Sequence, residues 1–323
     1  MKNSLANIYF ACAFITLLSG SCAVSADVFV SSEKDNQILQ MTADGKVIRS
    51  IATCLRPRHM AWIKDEKHIM VACGDSNQLG LVNIESGALS DAIATGESPE
   101  IFSLSPDSRT AYVSIEDGSQ MAAYDVGTKS SLFSVKTGPQ PEGVLASADG
   151  KSVYVTSEVA NSVYAVDVAK GKIVGQVKVG LRPRRLALSP DGSELWVTNE
   201  LGSSVTLVDT RSMSVKHTLA FQIAGMRLAD ITPVGIQMTP DGKTAWVGLG
   251  RANHVAEVDV ATRTVRRTVM VGKRAWGIAL NKDGSRVYVA NGLSDDMTII
   301  DTASGTPIKT VPVGRVPHTI LLN

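Results

Sequence analysis

The side chains best able to do chemistry in this chain recur at one position, the residue just after a proline or its equivalent at the start of a short apolar stretch. Read in order, that position holds Arg58, Glu100, Glu142, Arg184, Val234, Trp276 and His318. Arg56, His59, Arg182 and Arg274 flank it, and a second series of glutamates, Glu33, Glu116, Glu158 and Glu200, closes the following stretch. Guanidinium, carboxylate, indole and imidazole groups on one surface could hold a polar or zwitterionic ligand or dock a charged partner. His59 and His318 beside Glu100 or Glu142 could also ligate a metal, and Glu100, Glu142 and His318 could serve a hydrolase as acid and base. The same arginines and glutamates could equally neutralise one another and exclude water from a channel. No G-x-S-x-G elbow, H-E-x-x-H pair, oriented Cys-His nucleophile or C-x-x-C-H haem attachment occurs. The residues therefore point to binding, with no catalytic residue, metal or cofactor assigned.

A repeat must position these groups. Its clearest copy is RPRRLALSPDGSELWVTNE (182–200): an alternating apolar strand, a Pro-Asp-Gly reversal in which Gly accepts positive φ, and a β-branched, aromatic second strand. The second strands VFV (28–30), IMV (69–71), AYV (111–113), VYV (153–155), LWV (195–197), AWV (245–247) and VYV (287–289) make seven copies. Their last valines are 41, 42, 42, 42, 50 and 42 residues apart, a propeller-blade period. Segments such as SSVTLVDTRSMSVKHTL (203–219) add two further strands per repeat. The excess in the fifth interval, around Ile223–Ile231, is a loop insertion. RVPHTILLN (315–323) is a first strand with no successor, while DVFVSSEKDNQILQ, from Asp27, lacks a first strand, so one blade is sewn from both termini. The expected fold is all-β, a seven-bladed propeller over residues 27–323 in one domain. Its topology puts every residue named above around one mouth of the central channel. Trp276 lies in that mouth; Trp62, Trp196 and Trp246 belong to strands and core.

The unit SPDG followed by (L/V)(W/Y)VTN, SVxLVD and VxVG resembles the YVTN-type β-propeller repeat across residues 27–323. The loop variants RPRHMAW (56–62), SPEIFSLSPD (98–107), QPEGV (140–144), RPRRLALSPDG (182–192), PVGIQMTPDGKTAWVGLG (233–250) and GKRAWGIAL (272–280) resemble one branch, the propellers found with ABC transporters and alcohol dehydrogenases in PQQ-dependent alcohol catabolism. That resemblance implies a non-enzymatic scaffold or binding protein whose partner is a periplasmic dehydrogenase or transporter component, or a small polar ligand. Propeller lactonases and redox subunits of periplasmic dehydrogenases are the alternatives. The chain lacks the haem motifs of redox propellers and the adjacent-cysteine feature of PQQ-binding dehydrogenases.

Residues 1–26 carry one early lysine, an apolar run from Ile8 to Leu18 and small residues before Asp27, as a secretory signal does. The run is too short to span a bilayer. A lipoprotein anchor at Cys22 is the rival reading. The expected product is a periplasmic monomer without a transmembrane segment. A formal net charge of +1 argues against nucleic acid as a partner. Cys54 takes the repeat place of Gly180, and Cys73 that of Asn199, on one face of neighbouring blades. In an oxidising compartment this favours a disulfide; two separate thiols or a metal pair are the alternatives.

Overall fold

The computed structural model describes residues 27–323; the leader expected over 1–26, with Cys22, lies outside them. Seven four-stranded antiparallel sheets form a ring, and short 3-10 turns at Gly74–Ser76 and Leu228–Asp230 are the only helical pieces among the described residues. Blade 1 orders Pro317–Leu322, Asp27–Ser32, Gln37–Thr42 and Val47–Ala52, so the last strand of the chain pairs antiparallel with the first described one. Asp27 and Asn323 also exchange hydrogen bonds of 2.6 and 3.3 Å. Blades 2 to 7 follow in chain order, from Pro57–Trp62 to Thr306–Pro312. The ring is thereby closed with no blade left short of a strand.

The Pro-Asp-Gly signal works through its aspartate. In blade 5 the Asp191 carboxylate accepts from Ser189 Oγ at 2.6 Å and from Ser193 N–H at 3.1 Å, while Gly192 takes φ +70°. Second strands are buried along most of their length, and each carries an aromatic or large apolar residue into the seam with the next blade. Tyr112 packs with Val144 and Val153, Trp196 with Ile236 and Ala245, and Trp246 with Val287. Truncating such a residue costs about 3–5 kcal/mol. Trp196 and Trp246 are thus core, as the sequence suggests. Trp62 differs, being only half-buried on the channel wall with its indole N–H on the Leu322 carbonyl at 2.8 Å.

Two backbone features aim the channel residues. A β-bulge interrupts the start of the inner strand, between Pro141 and Val144, Pro183 and Leu186, and at the matching places of blades 2, 3 and 7. The extra residue turns the two side chains after the proline toward the axis instead of letting them alternate away. The residue before the proline, or before Ala275 in blade 7, is left-handed, as at Arg56, Arg182 and Arg274, and its N–H is held by the side chain of Asn36, Asn161 or Asn253 from the preceding blade.

Hydroxyls on the second strands of blades 1, 3, 4 and 5 then tie each of these blades to the next. Ser31, Ser114, Thr156 and Thr198 donate to the carbonyls of Arg58, Glu142, Arg184 and Val234 at 2.7, 2.7, 3.1 and 2.8 Å. Gly143 is required there, because a Cβ would lie 2.2 Å from the Arg184 carbonyl oxygen. The insertion between blades 5 and 6 is anchored by buried Phe221 and Ile231 and clipped by Arg227 on Asp230. Downstream of it the inner strand of blade 6 is only Ile236–Met238.

Candidate functional site

The bulged inner strands, the residues just before them and the corner after the second strand of blade 5 bring Arg56, Arg58, Glu100, Glu142, Arg182, Arg184, Glu200, Arg274, Trp276 and His318 into one layer across the channel. They form a paired lattice, not separate cationic and acidic sectors. Arg58 and Arg56 both reach Glu100, the latter at 2.8 Å, and Arg56 also lies 3.2 Å from Asp75. Arg58 is 3.5 Å from Glu33. Arg184 sits among Glu158, Glu142 and Glu200, the last two at 3.4 and 3.7 Å. Arg182 adds contacts to Glu158 and Glu200 at 2.8 and 3.2 Å. Glu100, Glu142 and Arg184 are buried, so breaking any pair would strand a charge in low dielectric.

Trp276 occupies the break in the lattice. The Arg274 guanidinium lies 4.3 Å from the indole centroid and that of Arg184 5.0 Å, so the ring is shared by two cations. His318 stands beside it at 6.0 Å. Its Nε2 receives an N–H from Arg185 at 3.2 Å; because a guanidinium can only donate, the imidazole proton resides on Nδ1 and faces Thr319 Oγ1 at 2.9 Å. His59 lies one residue deeper, edge-on to Phe102 at 4.8 Å.

Arg185, which the repeat places at the end of the Arg182–Arg185 connection around the mouth without a binding role of its own, is a full participant. It pairs with Glu142 and touches His318 from the bulge position where other blades place Gly143, Gly235 or Gly277. The last arginine of the RPRR segment was its only signal.

Titration follows from this packing. Burial alone would raise the Glu142 carboxyl, but Arg184, Arg185 and Arg58 together hold it well below the usual carboxylate value. Burial, assisted by Arg185, pushes His59 down to about 3, and burial with Arg58 and Arg185 holds His318 far below its ordinary value. Both imidazoles are neutral at pH 7. Glu116, on the vestibule wall, behaves oppositely: burial and the Glu142 charge raise its carboxyl. No group of three or more His, Cys, Asp or Glu side chains is disposed to hold a metal among the described residues.

The layer divides the channel. On the mouth side is a polar vestibule of about 260 Å³ walled by Glu33, Glu116, Arg182 and Arg274; on the other is a cavity of about 520 Å³. Away from the layer, Cys54 and Cys73 form a disulfide with Cα atoms 5.7 Å apart. In blade 5 the same seam is a contact, since a Cβ on Gly180 would lie 2.6 Å from the Asn199 side-chain carbon. No helix among the described residues is long and apolar enough to cross a membrane.

Fold and site together define a seven-bladed propeller whose channel is closed at one level by an arginine–glutamate lattice. The chain belongs to the YNCE-like beta-propeller family, which it matches over residues 84–279. Among solved structures it is similar to Kuenenia stuttgartiensis hydrazine synthase, with 23% identity, TM-score 0.78, and coverage of 85% of this chain and 92% of that one. A candidate 6-phosphogluconolactonase from Bacteroides fragilis gives 16% identity and TM-score 0.79 over 94% and 99% of the two chains. A functionally unknown protein from Desulfotomaculum acetoxidans gives 16% and 0.78 over 92% and 99%. At these identities the likeness is one of fold. A comparison with curated proteins finds no match.

Proposed function

We propose that this chain is an exported, non-enzymatic binding protein whose mouth face docks a periplasmic protein or a polar ligand. The observation that carries this reading is the neutralisation of the reactive groups: Glu100, Glu142, Glu158 and Glu200 all pair with arginine, and His59 and His318 are held uncharged and poorly basic. Paired carboxylates and non-basic imidazoles make a rigid charged surface rather than an acid–base pair. The disulfide suits an oxidising compartment, in keeping with the leader-like residues 1–26.

The loop variants from Arg56 to Leu280 favour service in PQQ-dependent alcohol oxidation beside an ABC transporter, with a dehydrogenase or transporter component as partner. Affinity capture and calorimetry against a purified periplasmic alcohol dehydrogenase test this. Saturable binding lost in Arg182→Ala, at a partly exposed position of the mouth, is expected, and no binding to the dehydrogenase or to any transporter component removes the reading.

One observation favours a hydrolase instead. Glu116 lines the vestibule with a raised carboxyl, suited to give or take a proton. Turnover of 6-phosphogluconolactone that disappears in Glu116→Gln would establish that alternative.

A further inference from the structure

The larger cavity lies on the side of the lattice away from the mouth, and its walls differ from those of the vestibule. Trp62, Leu104, Leu145, Leu186, Ile278 and Leu321, all partly exposed, contribute apolar surface from six blades, and its lining includes one charged side chain, Arg185. Glu142, the partner of Arg185, lines the vestibule instead. The cavity widens toward the turn face. Along the inner strand of blade 4, Pro141 to Val144 are buried while Leu145 and Ala146 are not, and in blade 1 exposure likewise rises at Leu321 and Leu322.

At the closed end stand Arg185, His318 and Trp276. Trp276 is only 8% exposed, and its indole N–H has no partner among the described residues. A buried donor without an acceptor is unfavourable by itself and is satisfied when a ligand supplies one. The volume is within the range of small-molecule sites.

We propose that this channel is a binding site for amphipathic small acids, entered from the turn face. The apolar body lies along the inner strands, and a carboxylate-like head meets Arg185 and the Trp276 N–H. A cationic head is disfavoured, because Arg185 is the single charge on the wall. The inference does not depend on docking at the mouth, which is on the other side of the lattice.

The test is titration of the purified full chain with 8-bromooctanoate, read by tryptophan fluorescence. Bromine quenches at contact, Trp62 and Trp276 line the channel, and Trp196 and Trp246 are sealed in blade cores. Saturable, partial quenching is expected, with the acid binding roughly tenfold more tightly than 8-bromooctan-1-ol, as a charge-assisted hydrogen bond implies. Gln237→Glu, at an exposed position of the channel wall, is expected to weaken the acid roughly tenfold and leave the alcohol unchanged. Trp276→Phe is expected to weaken the acid with Trp62 still reporting. Absence of saturation, equal binding of (8-bromooctyl)trimethylammonium, or acid binding indifferent to Gln237→Glu would overturn the assignment.

Discussion

Replacing Cys54 and Cys73 together by the pair that the repeat itself uses elsewhere separates the cross-link from its packing. In blade 5 the two places hold Gly180 and Asn199 in contact, so Cys54→Gly with Cys73→Asn supplies a seam the fold already tolerates. What disappears is the covalent loop, whose ends are 19 residues apart. On the chain-entropy account, closing a loop of that size stabilises by about 3 kcal/mol. For a propeller of this length, with an unfolding entropy of about 2 cal/mol/K per residue, that corresponds to a Tm lower by about 5 °C. Scanning calorimetry with and without reductant is the assay. The wild type should lose this increment on reduction, and the double variant should start lower and ignore the reductant. A double variant as stable as the oxidised wild type would refute the cross-link argument, and a loss beyond about 12 °C would refute the equivalence of the two seams.

Glu142→Gln leaves Arg184 and Arg185 without a shared buried carboxylate and should destabilise by about 3–5 kcal/mol in denaturant titrations, far more than Asp107→Asn at an exposed turn. The blade stitches should behave as ordinary buried hydrogen bonds, Ser114→Ala and Thr156→Val each lowering stability by about 1–3 kcal/mol because a carbonyl is left unpaired, and hydrogen exchange should show the loss at the affected seam. His59 gives a pH dependence. Its folded value is about 3 against 6.5 unfolded, so the unfolded chain takes the proton first; stability is full above pH 6.5 and falls as pH drops toward 3. The loss between pH 7 and pH 5 is at most about 2 kcal/mol, since His59 keeps some solvent contact, and His59→Asn should remove that part of the acid sensitivity while leaving the His318 part.

Much of the site was readable because the repeat is strict. A period near 42 residues with a proline, or Ala275 in blade 7, opening each inner strand region places Arg58, Glu100, Glu142, Arg184, Trp276 and His318 at equivalent points of a ring, and seven such points share one level of a closed propeller. The same register put Cys54 against Cys73. It could not say that Arg56 and Arg58 converge on Glu100, because which neighbour a long side chain reaches depends on the bulge that turns it and on the blade-to-blade rotation. Arg185 could be placed at the mouth but given no role for a related reason: alternation in a regular strand would send it to the opposite face from Arg184, and only the bulge lets both approach the axis.

The sequence by itself determined the blade count, the four strands of each blade, the closure through Pro317–Leu322 and the residues that meet at the mouth, since period, turn chemistry and strand alternation are local properties that simple repetition multiplies. Tertiary structure alone decided that these charges neutralise one another, that the channel is divided into a polar vestibule and an apolar cavity, and that His59 and His318 are neutral. Pairing, enclosure and desolvation are sums over groups brought together from distant blades, and no local pattern encodes them.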